Sequence, residues 1–139
     1  VYGEWGRPDM LYLKYLNAIK KNKTIYLYNF GKHARDFTYI SDVIEILVKL
    51  VKIKDKKYYQ NNIFNICSGK PINLITYLKF IDKIYGKNCI IKNIMIQKIE
   101  IIKTHGSNAK IKKLVKKKKF VDYKEGLRNT VNWFKSYYF

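Results

Sequence analysis

The 139 residues are 47% hydrophobic and 16% aromatic, enough for one domain with a real core and too apolar for global disorder. Two cysteines and two histidines, with no CxxC and no cluster at ligand spacing, exclude a disulfide framework and a Cys/His metal centre, and no apolar run reaches a membrane span of roughly 20 residues. The net charge of +19 is carried by scattered lysines in a chain rich in Asn, Ile and Tyr, as A/T-rich codon usage produces, so it does not by itself indicate nucleic acid; the one dense run is Lys116-Lys117-Lys118-Lys119.

Val1-Tyr2-Gly3 reads as the tail of a strand or the start of a loop, with no signal peptide visible. Pro8-Asp9 opens a helix whose apolar face is Met10, Leu13, Leu16 and Ile19. Residues 24–30 are β-branched and aromatic and predict a strand closed by Gly31; residues 37–40 predict a second, short strand. Ser41-Asp42 caps a helix running to about Lys52, with Asp42 and Glu45 as a capping box. Residues 62–66 predict a buried strand stopped by Ser68-Gly69. Residues 71–85 predict a helix with Leu74, Leu78 and Ile81 inward and Gly86 as its stop. Residues 89–96 predict a strand, and Ser107 caps a short helix to Val115. Asp122 and Glu125 form a second capping box for a last helix to about Tyr138, burying Leu127, Val131 and Phe134. No repeat and no linker interrupt the pattern, so residues 1–139 are expected to form a single compact α/β unit.

Two of the three arginines sit in the most informative stretches. In Gly6-Arg7-Pro8-Asp9 a loop runs into a helix start, where free N–H groups and a fork of guanidinium donors suit a phosphate or carboxylate. Arg7 could equally pair with Asp9, and the residues alone leave both open. Arg35-Asp36 follows the loop 31–34 and precedes a strand; it reads either as an arginine held by Asp36 and projected into a crevice, or as a surface ion pair. Tyr28 could stack on a base or simply pack. The chain has no GxGxxG fingerprint and no Tyr-xxx-Lys pair in a catalytic setting, so a complete active site is not expected in it.

The segment Val1-Tyr2-Gly3-x-Trp5-Gly6-Arg7-Pro8-Asp9-Met10 resembles the stretch that follows the catalytic region of NAD-dependent epimerase/dehydratases of the extended short-chain dehydrogenase/reductase group, closest to UDP-glucuronate 4-epimerases. The likeness continues in order through residues 25–32, Arg35-Asp36-Phe37-Thr38-Tyr39, Phe64-Asn65-Ile66 with Pro71-Ile72-Asn73-Leu74, and Glu125-Gly126 to Trp133-Phe134. It departs from the family's pattern at Glu4, Ser41, Lys98-Ile99-Glu100, Ser107 and Lys119. The resemblance implies the C-terminal, substrate-binding portion of an extended Rossmann-type epimerase, with the N-terminal cofactor domain missing from this chain. It assigns Arg35 to the pyrophosphate of a UDP-sugar, Tyr28 to its uracil, Arg7 to the sugar end of the pocket and Gln97 to a further pocket position. It implies NAD as the cofactor of the full-length protein, not bound by this segment alone. In that protein C4 of the sugar would be oxidised and re-reduced on the other face, with a homodimer possible and a cytoplasmic location expected. The segment alone is expected to be inactive and to expose apolar surface. A 4,6-dehydratase or decarboxylase on the same fold is the nearest alternative, and a small basic nucleic-acid-binding protein is the alternative from another class.

Overall fold

A computed structural model describes residues 1–55, 57, 60–95 and 101–138. The chain enters through Tyr2, whose N–H donates to Thr38 O at 2.9 Å and whose carbonyl accepts from Ile40 N at 2.8 Å, a parallel bridge. A turn closed by Met10 N to Arg7 O at 3.1 Å uses up Pro8 and Asp9, so helix α1 starts three residues beyond Pro8 and spans Leu11–Lys20. It buries Leu13, Leu16 and Ile19 as the pattern predicts, and also Tyr12 and Tyr15.

Strand β1, Ile25–Tyr28, pairs in parallel with β4, Ile91–Ile94, in the register Ile25↔Ile91 to Tyr28↔Ile94. A parallel partner needs a long crossover, here the intervening helices. β1 is shorter than the run 24–30 because the chain turns at Asn29–Gly31. Asn29 and Phe30 take left-handed φ values of 48° and 52°, and Gly31 one of 69°. A side chain on Gly31 would meet Ile75 Cδ1 at 2.4 Å, so the turn packs against the next layer only with glycine there. Strand β2, Ala34–Arg35, pairs antiparallel with β3, Ile72–Asn73, and on its other side exchanges Ala34 N to Ile102 O at 2.9 Å and Thr104 N to Ala34 O at 3.1 Å. Ile72 and Asn73 thus form a strand and a cap, and Pro71 precedes them, instead of the helix start predicted for 71–73. Helix α3, Leu74–Tyr85, is capped by Asn73 Oδ1, which accepts from Ile75 N and Thr76 N, and ends at Gly86 with φ 84°. Leu74, Leu78 and Ile81 are its buried stripe.

Helix α2, Ile40–Val51, begins at Ile40, where a strand residue was expected, and Tyr39 precedes it without a side-chain cap. The capping box at Asp42 and Glu45 does not form: Asp42 lies inside the first turn, buried, and faces Lys117 and Val121. Residues 62–66 do not form the strand predicted for them among the described residues. Helix α4 is Ala109–Val115, with no side-chain cap from Ser107 or Asn108. Helix α5, Tyr123–Tyr138, is entered through Asp122, whose Oδ1 accepts from Lys124 N at 2.9 Å; Leu127, Val131 and Phe134 are fully buried. The strand predicted over 89–96 is shorter, Ile91–Ile94, with Cys89, Ile90 and Met95 outside it; Ile96 lies outside the described residues.

Two apolar clusters result. The larger packs α1, α3 and α5 over β1, with Tyr2, Tyr12, Tyr15 and Tyr77 among its members. The smaller joins Ile46 of α2 to Ile111 and Val115 of α4. The outer face of α2 stays apolar and exposed: Ile44, Leu47, Val48 and Val51, at i, i+3, i+4 and i+7, are 45–87% exposed. Among the described residues no helix is long and apolar enough to cross a membrane, and no group of three or more His, Cys, Asp or Glu could hold a metal ion.

Candidate functional site

Period-2 alternation along β1 turns Ile25 and Leu27 into the core and Tyr26 and Tyr28 outward. Both residues line a cleft of about 470 Å³. Arg35 and Asp36 from β2 and its exit, Phe37, Thr104 from the neighbouring segment and Met10 to Tyr12 line it as well. Its size lies in the range of small-molecule sites.

Arg35 is held from behind. Its Nη1 donates to Ala34 O at 3.0 Å and to Ile102 O at 3.2 Å, which fixes the guanidinium while leaving its other N–H groups for a ligand. Among the described residues no carboxylate pairs with it. The expected restraint by Asp36 is not what the structure uses. Asp36 turns the other way and accepts from Ser68 Oγ at 2.5 Å, Gly69 N at 3.0 Å and Gly106 N at 3.1 Å, while its own N–H donates to Thr104 Oγ1 at 3.0 Å. It therefore ties the 68–69 turn and the 104–106 segment to the strand that carries Arg35. Burial, followed by the Asp36 charge, pushes the nearby Cys67 thiol up.

Tyr12 anchors the entry loop. Its hydroxyl donates to Gly3 O at 2.8 Å and accepts from Gly3 N at 3.3 Å. Burial raises its pKa, so it stands as a neutral phenol. A side chain on Gly6 would fall 1.7 Å from that hydroxyl, which explains glycine at this place in the loop. Glu4, a departure from the family's pattern, accepts from Tyr39 Oη at 2.7 and 2.9 Å; burial and this contact push Tyr39 up to about 12.

Of the residues singled out from sequence, Tyr28 and Arg35 come together in the cleft. Arg7 does not line it: its side chain is 79% exposed and pairs with Asp9 at 3.2 Å, the second of the two readings left open for it. Gln97 lies outside the described residues. Tyr26 and Thr104 went unnoticed in the sequence. The alternation that turns Tyr28 outward does the same for Tyr26 and could have found it, whereas Thr104 is brought in by a pairing about 70 residues distant that no local signal marks.

Among the described residues one parallel and one antiparallel strand pair, with helices packed on them, make this an α/β fold. Residues 1–67 match the NAD dependent epimerase/dehydratase family. Over 134 residues the chain is 40% identical to an uncharacterized protein of Methanocaldococcus jannaschii, covering 96% of this chain and 40% of that one. It is 32% identical over 136 residues to a UDP-glucuronate 4-epimerase of Thermodesulfobacterium geofontis, covering 97% and 41%. The UDP-glucuronic acid 4-epimerase of Bacillus cereus, solved with UDP-glucuronic acid and NAD, superposes with a TM-score of 0.87 at 24% identity over 97% of this chain and 42% of that one, a likeness of fold. The likeness to the NAD-dependent epimerase/dehydratase family thus rests on residues 1–67 and on relatives that match nearly the whole of this chain. The chain spans 35–46% of the length of these curated relatives.

Proposed function

We propose that this chain is the nucleotide-sugar-binding portion of an NAD-dependent 4-epimerase that converts UDP-glucuronate to UDP-galacturonate. The observation that carries it is the pairing of Tyr28 with Arg35 across one cleft, with Arg35 braced by two carbonyls and free of any carboxylate among the described residues. A planar fork suits a pyrophosphate, and a half-exposed ring within the same cleft suits a base. Arg7, at the mouth of the entry loop, would reach a sugar carboxylate only by giving up Asp9, an exposed pair worth at most about 1 kcal/mol. NAD, in the full-length protein, supplies the hydride transfer. In this reading the chain holds and orients the sugar nucleotide. The apolar stripe on α2 fits the same reading, as a surface that the rest of a protein of the relatives' length would cover.

Titrating UDP into the chain tests the reading. Arg35→Ala should weaken binding by about 2–3 kcal/mol, the worth of a charge-assisted contact, and Tyr28→Ala by about 1–2 kcal/mol. Joined to the NAD-binding half of a relative, the chain should turn over UDP-glucuronate, with product analysis separating epimerase from dehydratase or decarboxylase. Unchanged UDP affinity in Arg35→Ala would remove the basis of the proposal.

A further inference from the structure

We propose that a second crevice, between the 68–72 turn, α4 and residues 118–123, binds a phosphate-bearing small molecule with a ring attached, of nucleotide size. It encloses about 390 Å³ and shares only Phe37 with the cleft of Tyr28 and Arg35. Four lysines line it, Lys70, Lys112, Lys118 and Lys119, against one carboxylate, Asp122. That carboxylate is engaged as the cap of α5, accepting from Lys124 N. Among the described residues none of the four lysines forms an ion pair.

This convergence is a product of the fold. The 116–119 run is split three ways. Lys116 takes the left-handed C-cap of α4 with φ 51°. Lys117 turns inward, its Nζ 2.9 Å from Asp42 Oδ1 and 2.5 Å from Glu45 Oε2. With Lys117 anchored, Lys118 and Lys119 line the crevice together with Lys70 and Lys112. Like charges gathered around one concavity repel one another, and an anion seated among them reverses the sign of that interaction. Lysine acts on phosphate as a point charge with three donors. The rings of Phe120 and Tyr123 supply an apolar side for the rest of the molecule. The amide N–H groups of Asn108, also in the lining, are taken up by Cys67 O and Ser68 O.

Calorimetric titration of the full chain carrying Arg35→Ala, which removes the pyrophosphate contact of the first cleft, at about 150 mM salt with ADP, inorganic pyrophosphate and adenosine tests the proposal. ADP and pyrophosphate should bind and adenosine should not. Adding Lys118→Gln/Lys119→Gln should cost at least about tenfold in affinity. Adding Lys79→Gln/Lys87→Gln instead, which removes the same charge from exposed positions outside the crevice, should leave it unchanged. Equal loss in the two double-lysine variants, no binding of ADP or pyrophosphate once Arg35 is replaced, or binding of a single-stranded RNA but of none of the small molecules would each overturn it.

Discussion

Replacing Lys117 by Met should be among the most damaging single substitutions in the chain. Its side chain is 5% exposed and sits between Asp42, 2% exposed, and Glu45, 44% exposed. At the 2.9 Å separation from Asp42 and an effective dielectric near 20, the attraction is roughly 6 kcal/mol. Desolvation of both groups takes back part of this while the pair is intact. With Met at position 117 the Asp42 carboxylate stays buried with the Val121 N–H, at 2.9 Å, as its remaining partner among the described residues. Stranding a buried charge in this way costs about 3–5 kcal/mol, or roughly 10–20 °C in Tm for a chain of this size. Urea unfolding followed by circular dichroism is the assay, with Asp42→Asn and the double variant completing a cycle. The double variant should lose at least about 2 kcal/mol less than the sum of the singles. A loss under about 1 kcal/mol in Lys117→Met, or additive losses, would refute the reasoning. Titration gives a second arm. The hydrogen bond from Lys117, and after it that from Lys49, holds the Glu45 carboxyl below its ordinary 4.5. A lowered folded-state value contributes stability that is present above 4.5 and lost as the pH falls through the folded value, so wild type should weaken in that acid window and Lys117→Met should lack that component. For Lys117 burial pulls the value down, but Glu45 and Asp42 outweigh it and the net shift is upward from 10.5; its contribution is present below 10.5 and fades above it.

Gly126→Ala should destabilise by about 1–3 kcal/mol although alanine is the better helix former by about 1 kcal/mol, because the new methyl would lie 2.2 Å from Tyr2 Oη and 2.9 Å from Tyr39 Cδ2; thermal unfolding gives the sign directly. Asn73→Ala removes the acceptor for Ile75 N and Thr76 N and should cost about 1 kcal/mol, read from chemical denaturation, with Asn73→Asp recovering most of it. Asp36→Ala leaves Gly69 N and Gly106 N without their acceptor and should cost about 2–4 kcal/mol; it should also weaken UDP binding, since the 104–106 segment beside Arg35 loses its tie, and UDP titration at a temperature where the variant is folded separates the two effects.

Much of the local structure was legible because the physics behind it is local. The 3.6-residue stripe of α3, its stop at Gly86, the buried face of α5 and its Asp122 cap follow from side chains within a turn of one another. Where the sequence misled, a distant partner won. Asp42 and Glu45 have capping-box spacing, yet a buried lysine 72 or more positions away outcompetes a helix terminus for both carboxylates. Residues 62–66 have the composition of a strand, but a strand exists only with a neighbour, and among the described residues they have none.

The same division runs through the two crevices. By itself the sequence determined which residues were chemically fit to meet an anion: two arginines in loop–helix and loop–strand settings, a tyrosine on an alternating strand, and a family pattern that orders them. Only the tertiary structure decided which of them act together. β1 and β2 bring Tyr28 and Arg35 to one cleft, while the turn at Pro8 leaves Arg7 beside Asp9. Asp36, adjacent to Arg35 in the chain, spends its charge on N–H groups 33 and 70 residues further on. Spacing along the chain governs helix faces and caps, whereas charge pairing and cavity lining depend on distances through space, which a linear pattern does not contain.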